Sequence, residues 1–319
     1  MNDFYAPATI SIEAKDALRE YSRTERNQSL PQPNDITGWK KLQAQLEQDF
    51  APDSKAVIKQ YSPKIIQRKL GGIPVLDIKP RNWKQSKNIL VYTHGGAYTL
   101  FSAFSTLNGT VPIADETGLQ IISVDYTVAP QAKWDEITDQ VISVLQALIQ
   151  EGHPLENIAI YGDSAGGGLA SGAVLKMRDK GLGMPKAVVL WSPWSDITEI
   201  GDTYHTLQDK DPVLYYPNNL ANAALAYAKK ADQKNPYVSP VYGDYSKGFP
   251  PTLIQAGTKE IFLSNAIRQY HALDDAGIEV KLDPYEGMWH VFQALRWNLP
   301  ESKRARAKVK TFLEKHIGQ

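Results

Sequence analysis

The chain has 319 residues, with 35 lysines and arginines against 35 aspartates and glutamates. This zero formal net charge gives no reason to expect nucleic acid or an anionic membrane as a partner. Because cysteine is absent, disulfides, a thiol nucleophile and thiolate metal sites are excluded. The length is enough for one large α/β domain with a covering insertion, or for two small domains.

The first 60 residues are polar and carry apolar side chains at helical spacing. The break Pro31-Gln32-Pro33 divides this segment into two predicted helical pieces. Its beginning lacks the basic and apolar regions of a signal sequence, and no run of about 18 apolar residues occurs anywhere. We therefore expect a soluble, cytoplasmic protein.

Beyond residue 60, short apolar runs alternate with segments of helical spacing. Apolar runs flanking Gly71-Gly72 predict a β-hairpin, and continuous apolar runs predict strands covered on both faces. The predicted strands are Ile65–Leu70, Ile73–Ile78, Ile89–Thr93, Leu119–Val124, Ile158–Tyr161, Ala187–Trp191, Thr252–Ala256 and Ile278–Tyr285. The predicted helices are Trp134–Ile149, Ala165–Arg178, Ile261–Ala276 and Ser302–His316. This alternation indicates an α/β fold with a doubly wound, mostly parallel sheet.

One stretch interrupts the alternation. About sixty residues separate Trp191 from Thr252, and they include a helix-like segment, Asn218–Lys230. Such a length is too great for a single crossover between neighbouring strands. We therefore predict an insertion at residues 196–233.

The apolar run that ends at Tyr161 leads directly into Gly162-Asp163-Ser164-Ala165-Gly166. Gly-x-Ser-x-Gly between a strand and a helix is the form of a nucleophile elbow, which carries a reactive serine at a cramped turn. Glycine suits both flanks because a Cβ would clash there. The motif alone also fits a glycine-rich turn whose serine only caps a helix.

Two further segments stand at compatible places. His-Gly-Gly-Ala-Tyr at residues 94–98 follows a predicted strand, and Glu260 and His290 follow Ser164 in the order serine, acid, histidine. With these segments the chain resembles the hormone-sensitive-lipase-like esterases, which have the α/β-hydrolase fold and include bacterial carboxylesterases and lactone hydrolases. HGGAY is similar to their HGGG motif, GDSAGG to their nucleophile motif, and EGMWHVF at residues 286–292 to their histidine segment. The similarity runs from about residue 89 to residue 292.

The resemblance implies an eight-stranded, mostly parallel sheet flanked by helices and covered by a helical cap. On this basis residues 1–60 are the first part of the cap, and residues 196–233 are its second part. The α/β-hydrolase core then comprises residues 61–195 and 234–319. Residues 1–60 are also compatible with a peripheral helical arm that only packs on the core.

The catalytic assignment follows from the chemistry of acyl transfer. Ser164 needs a neutral imidazole as its base, and among six histidines we assign His290, which follows a predicted strand through a short loop. The resemblance places the acid at Glu260, where the family usually has aspartate. A glutamate can also orient the imidazole and stabilise its cation. Asp283 is the alternative acid, because it too precedes the histidine near a strand end.

The oxyanion hole is assigned by the same resemblance to the backbone amides of Gly95, Gly96 and Ala165. Ala97 occupies the position of the third family glycine. Asp163 is expected to support the site and not to react. No spacing of histidine and acidic residues indicates a metal site, and no cofactor is expected.

Aromatic side chains in or beside the expected site segments predict an apolar substrate pocket. These residues are Tyr98, Phe101, Trp194, Tyr204 and Trp289. We therefore predict a serine carboxylesterase for small to medium apolar esters that acts through an acyl-serine intermediate. A lactone or amide hydrolase with the same triad, and a non-catalytic receptor on the same fold, are the alternatives. The sequence leaves the existence of a homodimer open.

Overall fold

The computed structural model describes residues 4–318, and within them eight strands pair into one sheet. The strands are β1 (Lys64–Leu70), β2 (Ile73–Lys79), β3 (Ile89–Thr93), β4 (Gln120–Val124), β5 (Ile158–Asp163), β6 (Ala187–Trp191), β7 (Thr252–Gly257) and β8 (Val280–Tyr285). Their order across the sheet is β1-β2-β4-β3-β5-β6-β7-β8. Strand β2 pairs antiparallel with both of its neighbours, and all other pairs are parallel. The predicted fold class is therefore confirmed.

Helices cover both faces of the sheet. They are α1 (Ile12–Arg19), α2 (Arg23–Arg26), α3 (Ile36–Tyr61), α4 (Leu107–Thr117), α5 (Trp134–Gln150), α6 (Ala165–Asp179), α7 (Thr203–Thr206), α8 (Ala221–Tyr227), α9 (Leu263–Asp274), α10 (Phe292–Leu295) and α11 (Pro300–Ile317). Every residue of β3 is buried. Val91 belongs to the apolar cluster that includes residues of α5 and α6, and Leu90 to the cluster that includes residues of α4 and α11. Successive residues of β3 therefore pack against helices on opposite faces of the sheet. Because both faces are covered, the central strands are apolar throughout.

Most predicted elements agree with the structure to within two residues. One helix that was not predicted and one that is shorter than predicted have local explanations. Helix α4 is not predicted from the sequence, since Gly109 and the internal Pro112 weaken its helical pattern. The helix predicted at Asn218–Lys230 is limited to α8, because Pro217 and Asn218 have non-helical backbone angles and Ala228 is extended.

The N-terminal segment contacts the insertion between β6 and β7. The amide of Leu30 donates to the carbonyl of Asn218 at 3.1 Å, and the side chain of Asn222 donates to the carbonyl of Leu30 at 2.9 Å. The guanidinium of Arg26, which is largely buried, donates to the carbonyls of Gln208 and Asp211, both at 2.6 Å. Two segments distant in sequence are thus joined by hydrogen bonds.

Among the helices within residues 4–318, none has the length and apolar character needed to span a bilayer.

Candidate active site

Ser164 occupies a sharp corner between β5 and α6. Its backbone angles are φ 54° and ψ −124°, which a non-glycine residue rarely adopts. A Cβ added to Gly162 would lie 2.3 Å from the carbonyl oxygen of Gly166, and one added to Gly166 would lie 2.0 Å from that of Thr93. Both flanking positions therefore require glycine, and the strand, strained serine and helix form the turn that the motif predicts.

His290 is paired with Glu260 in a buried part of the loops that follow β7 and β8. The Nδ1 atom of His290 lies 2.8 Å from Oε2 of Glu260, and both side chains are at most 5% exposed. The other carboxylate oxygen, Oε1, accepts from the amide of Gly257 at 2.6 Å and from the hydroxyl of Ser192 at 2.9 Å. The ring of Phe262 packs edge-on against the imidazole. Two hydrogen bonds therefore hold Oε1 of Glu260, and Oε2 faces the histidine.

Asp283, the alternative acid, has other partners. Its carboxylate accepts from Nε2 of Gln255 at 3.0 Å and pairs with the ammonium group of Lys308. The structure thus brings Glu260, and not Asp283, to His290.

Ser192 links the serine turn to the acid–histidine pair. The amide of Ser164 donates to the carbonyl of Trp191 at 2.8 Å, and its carbonyl accepts from the amide of Trp194 at 2.8 Å. Ser192 lies between Trp191 and Trp194 in the sequence, and its hydroxyl accepts from the amide of Val291 at 3.0 Å. The same hydroxyl also donates to Oε1 of Glu260. Ser192 therefore contacts both the segment that carries the acid and the segment that carries the histidine. The sequence does not identify Ser192 as a residue of the site. Its place directly after a predicted buried strand is the only feature that could have indicated this role.

Gly95, whose amide the resemblance assigns to the oxyanion hole, has a hydrogen-bond partner within the fold. Its amide donates to Oδ1 of Asp163 at 3.1 Å, and that oxygen also accepts from the hydroxyl of Tyr92. A Cβ on Gly95 would lie 2.3 Å from the other carboxylate oxygen. Burial raises the pKa of Asp163, and the hydrogen bond from Tyr92 and the charge of His290 partly offset this effect. Asp163 therefore supports the glycine loop, and the Gly95 amide is already engaged.

The next two amides have no such partner. Within residues 4–318, no hydrogen bond engages the amide of Gly96 or of Ala97. Gly96 has φ +112°, and a Cβ there would lie 2.4 Å from the carbonyl oxygen of Leu100. Ala165 is the first residue of α6, where backbone amides lack intrahelical acceptors. The amide of Ala165 likewise has no partner among residues 4–318, so all three amides are free to donate.

Unfavourable backbone conformations are concentrated around this site. Most of the non-glycine residues with positive φ in the described chain lie on its loops, and they are Ala97, Tyr98, Phe101, Ser164, Ser192 and Val291. The φ of Val291, at 49°, is costly for a β-branched side chain. Such strain persists only where surrounding contacts enforce it, and it is typical of functional loops.

Four of the five aromatic residues expected in the pocket are fully buried: Tyr98, Trp194, Tyr204 and Trp289. The ring of Tyr98 stacks on that of Tyr227 with centroids 3.7 Å apart. Nε1 of Trp194 donates to the hydroxyl of Tyr204 at 3.0 Å, and Trp289 packs edge-on against Tyr21 of the N-terminal segment. These contacts are internal packing contacts of the folded chain.

The fifth aromatic residue, Phe101, borders a small cavity. This cavity has a volume of about 50 Å³ and is also lined by Gly96, Val291 and Leu295. The ring of Phe50 from α3 closes part of it, in an edge-to-face contact with Phe101 at 4.8 Å. The cavity is thus lined on one side by apolar side chains and on another by Gly96, whose amide is free.

Replacing Tyr98 by phenylalanine distinguishes packing from substrate contact. The hydroxyl of Tyr98 is buried and has no hydrogen-bond partner among residues 4–318, so its removal leaves no unsatisfied group. We expect Tyr98→Phe to retain the wild-type KM and melting temperature. Tyr98→Ala removes the stack with Tyr227 and should reduce the free energy of unfolding by about 3 kcal/mol. A several-fold higher KM for Tyr98→Phe at unchanged stability would instead indicate contact with substrate.

Helix α3 holds the loop that follows the glycine motif. The carboxylate of Glu47 accepts from the hydroxyls of Ser102 at 2.9 Å and Ser105 at 2.7 Å. The side chain of Gln43 donates to the carbonyl of Thr99 at 2.7 Å. The N-terminal segment therefore contributes to the position of the loop that carries the free amides.

Comparison with known proteins gives consistent matches. The family model described as "alpha/beta hydrolase fold" matches residues 90–294. An esterase of Acinetobacter venetianus is 32% identical over 244 residues, which are 76% of this chain and 80% of that protein. The crystal structure of the esterase E25 superposes with a TM-score of 0.91 at 28% identity, covering 98% of this chain and 96% of that one. An esterase of the bacterial hormone-sensitive lipase family superposes with a TM-score of 0.77 at 30% identity, covering 80% and 85%.

Proposed function

Since this chain belongs to the α/β-hydrolase-fold family and is a carboxylic-ester hydrolase like its bacterial hormone-sensitive-lipase relatives, we propose that Ser164, His290 and Glu260 carry the reaction. The observation that supports this assignment most strongly is the 2.8 Å contact between His290 Nδ1 and Glu260 Oε2. It directs the other ring nitrogen, Nε2, to act as the base. A non-catalytic receptor would have no use for a buried pair of this kind.

The mechanism has two halves. In the first, Ser164 Oγ attacks the ester carbonyl carbon while His290 Nε2 takes the hydroxyl proton, and the carbonyl oxygen becomes an oxyanion. Collapse of this intermediate breaks the bond to the alcohol oxygen, which leaves with the proton from the imidazolium. In the second half, His290 Nε2 takes a proton from water as the water oxygen attacks the acyl carbon. Collapse of the second tetrahedral intermediate breaks the bond to Ser164 Oγ, which takes the proton back from the imidazolium, and the carboxylic acid is released. Glu260 stabilises the imidazolium in both halves and remains ionised.

The oxyanion donors that we propose are the amides of Gly96, Ala97 and Ala165. The first two are free of other partners, and the third begins α6, whose N-terminus favours negative charge. Gly95 instead orients the loop through Asp163. An alanine suffices at position 97 because its backbone amide, and not its side chain, faces the developing charge.

The cap assignment remains part of this proposal. Residues 4–60 and residues 196–233 are hydrogen-bonded to each other and to the loops of the site. This arrangement supports a composite cover over the serine. The apolar residues that line part of the small cavity beside Gly96 support small to medium apolar esters as substrates.

A series of p-nitrophenyl esters of increasing acyl length tests the substrate class. We expect kcat/KM to be highest between acetate and butanoate and to fall about tenfold or more by octanoate, because Phe50 and Phe101 limit the cavity. Phe50→Ala should raise the relative rate on octanoate. Phe104→Ala, which removes an exposed ring, is the matched control and should leave the preference unchanged. A wild-type preference for octanoate would contradict this assignment.

A further inference from the structure

Asp211 is a buried carboxylate in the insertion between β6 and β7. It is fully buried and forms no ion pair within residues 4–318. Its oxygen Oδ1 accepts from the amides of Val213 at 2.8 Å and Leu214 at 2.9 Å. The other oxygen, Oδ2, accepts from the amide of Ile261 at 2.8 Å. A buried carboxylate without an ion pair opposes folding unless hydrogen bonds compensate for it, so its presence calls for a specific role.

The amide that Oδ2 accepts belongs to the residue after Glu260. The carbonyl of the same residue, Ile261, accepts from the hydroxyl of Thr203 at 2.7 Å. Both polar groups of this residue are therefore held by side chains of the insertion. Because Glu260 must contact His290 through Oε2 while Oε1 is held elsewhere, a shift of the backbone at 260–261 would displace the acid.

Asp211 also interacts electrostatically with the base. Burial raises the pKa of Asp211 to about 6, and the positive charge of His290 acts in the opposite direction. The other charged or titratable groups that the charge of Asp211 affects are Arg26, Lys259 and Tyr21. Arg26 also donates to the carbonyl of Asp211, so the N-terminal segment contributes to its position.

We propose that Asp211 is a positioning residue for the ester hydrolysis: from the insertion, it fixes the backbone that carries Glu260. This inference depends on the proposed catalytic roles of these two residues. It implies that seating of the insertion and assembly of the triad are linked by one side chain.

Asp211→Asn is a selective test, because all three partners of Asp211 are donors. An asparagine has one acceptor oxygen, so whichever side its NH2 group occupies faces an N–H group and loses its hydrogen bond. We expect kcat to fall about tenfold with KM changed less than twofold, since the acid is displaced and not the substrate.

Asp196→Asn is the matched control. Asp196 is also fully buried in the insertion, but it pairs with Arg268 at 2.7 Å and accepts from the amide of Thr198. Asp196→Asn should lower the melting temperature and leave kcat per active site unchanged. Titration of active sites with a phosphonate normalises kcat for any loss of folded enzyme. A kcat of Asp211→Asn that equals the wild-type kcat after this normalisation would overturn the inference.

Thr203→Val provides a second variant if Asp211→Asn does not fold. It removes the hydrogen bond to the carbonyl of Ile261 without changing charge, and we expect a several-fold lower kcat with no shift in the pH profile. An unchanged kcat would overturn the positioning role. Failure of the proposed function is distinguishable from failure of this inference. If the proposed function is wrong, the wild-type protein will neither hydrolyse p-nitrophenyl acetate nor react with the phosphonate at Ser164.

Discussion

Ser164→Ala is expected to lower kcat for p-nitrophenyl acetate by about 10⁴-fold or more. The substitution removes the attacking oxygen and retains the Cβ, so the strained turn and its hydrogen bonds to Trp191 and Trp194 are preserved. The free amides would still bind the carbonyl oxygen, which accounts for residual activity above that of water. The measurement is steady-state hydrolysis, with circular dichroism to verify folding.

Ser171→Ala is the matched control for this substitution. Ser171 lies on the same helix that follows the nucleophile, is fully buried, and its hydroxyl has no partner among residues 4–318. We expect this variant to hydrolyse the ester at the wild-type rate. Comparable activity of Ser164→Ala and wild type would exclude the acyl-serine mechanism.

Glu260→Gln is expected to lower kcat by about 10³- to 10⁴-fold. Oε1 accepts from the amide of Gly257 and the hydroxyl of Ser192, so the glutamine oxygen is favoured there. Its NH2 group then faces His290 Nδ1 and requires this nitrogen to be an acceptor. The proton moves to Nε2, the wrong tautomer for a base, and the cation loses its carboxylate. Rates at saturating p-nitrophenyl acetate measure the effect.

Two further variants identify the cause of that loss. Glu260→Asp keeps the charge and shortens the side chain by one methylene, so we expect partial activity between wild type and Glu260→Gln. Asp283→Asn alters a carboxylate held by Gln255 and Lys308, and it should hydrolyse the ester normally. A large loss in Asp283→Asn together with normal kcat in Glu260→Gln would reverse the assignment of the acid.

The sheet was predictable because each central strand is a short apolar run between polar or glycine-rich segments. Strand β6 begins and ends at the predicted residues, Ala187 and Trp191. Helix α4 was not predictable from the sequence. Its Gly109 is required because a Cβ there would lie 2.7 Å from the hydroxyl oxygen of Tyr92. A residue chosen by such a tertiary contact does not follow the periodic pattern of a helix.

The chain order of Ser164, Glu260 and His290 was available from the sequence, since each follows a predicted strand. The partner of a given backbone amide was not. Gly95 and Gly96 are adjacent and chemically identical, and only the position of Asp163 shows which amide is engaged. Ser192 also went unrecognised, because its role depends on two segments that are far away in the chain.

The surroundings of the expected aromatic residues were also not predictable from the sequence. Tyr98 and Trp194 flank the expected site in sequence, but their rings point into the core, where they stack with each other. Composition indicates that a segment carries a large apolar side chain; it does not indicate which face of the backbone that side chain occupies. Phe101 alone of the five borders the cavity.

The activation of Ser164 by His290 is tested most directly by the rate of phosphonylation with a p-nitrophenyl alkylphosphonate, with the modified peptide located by mass spectrometry. We predict stoichiometric labelling of Ser164 in the wild type, and a rate at least about 10³-fold lower in His290→Ala. Labelling at another residue, or equal rates in the two proteins, would contradict the account.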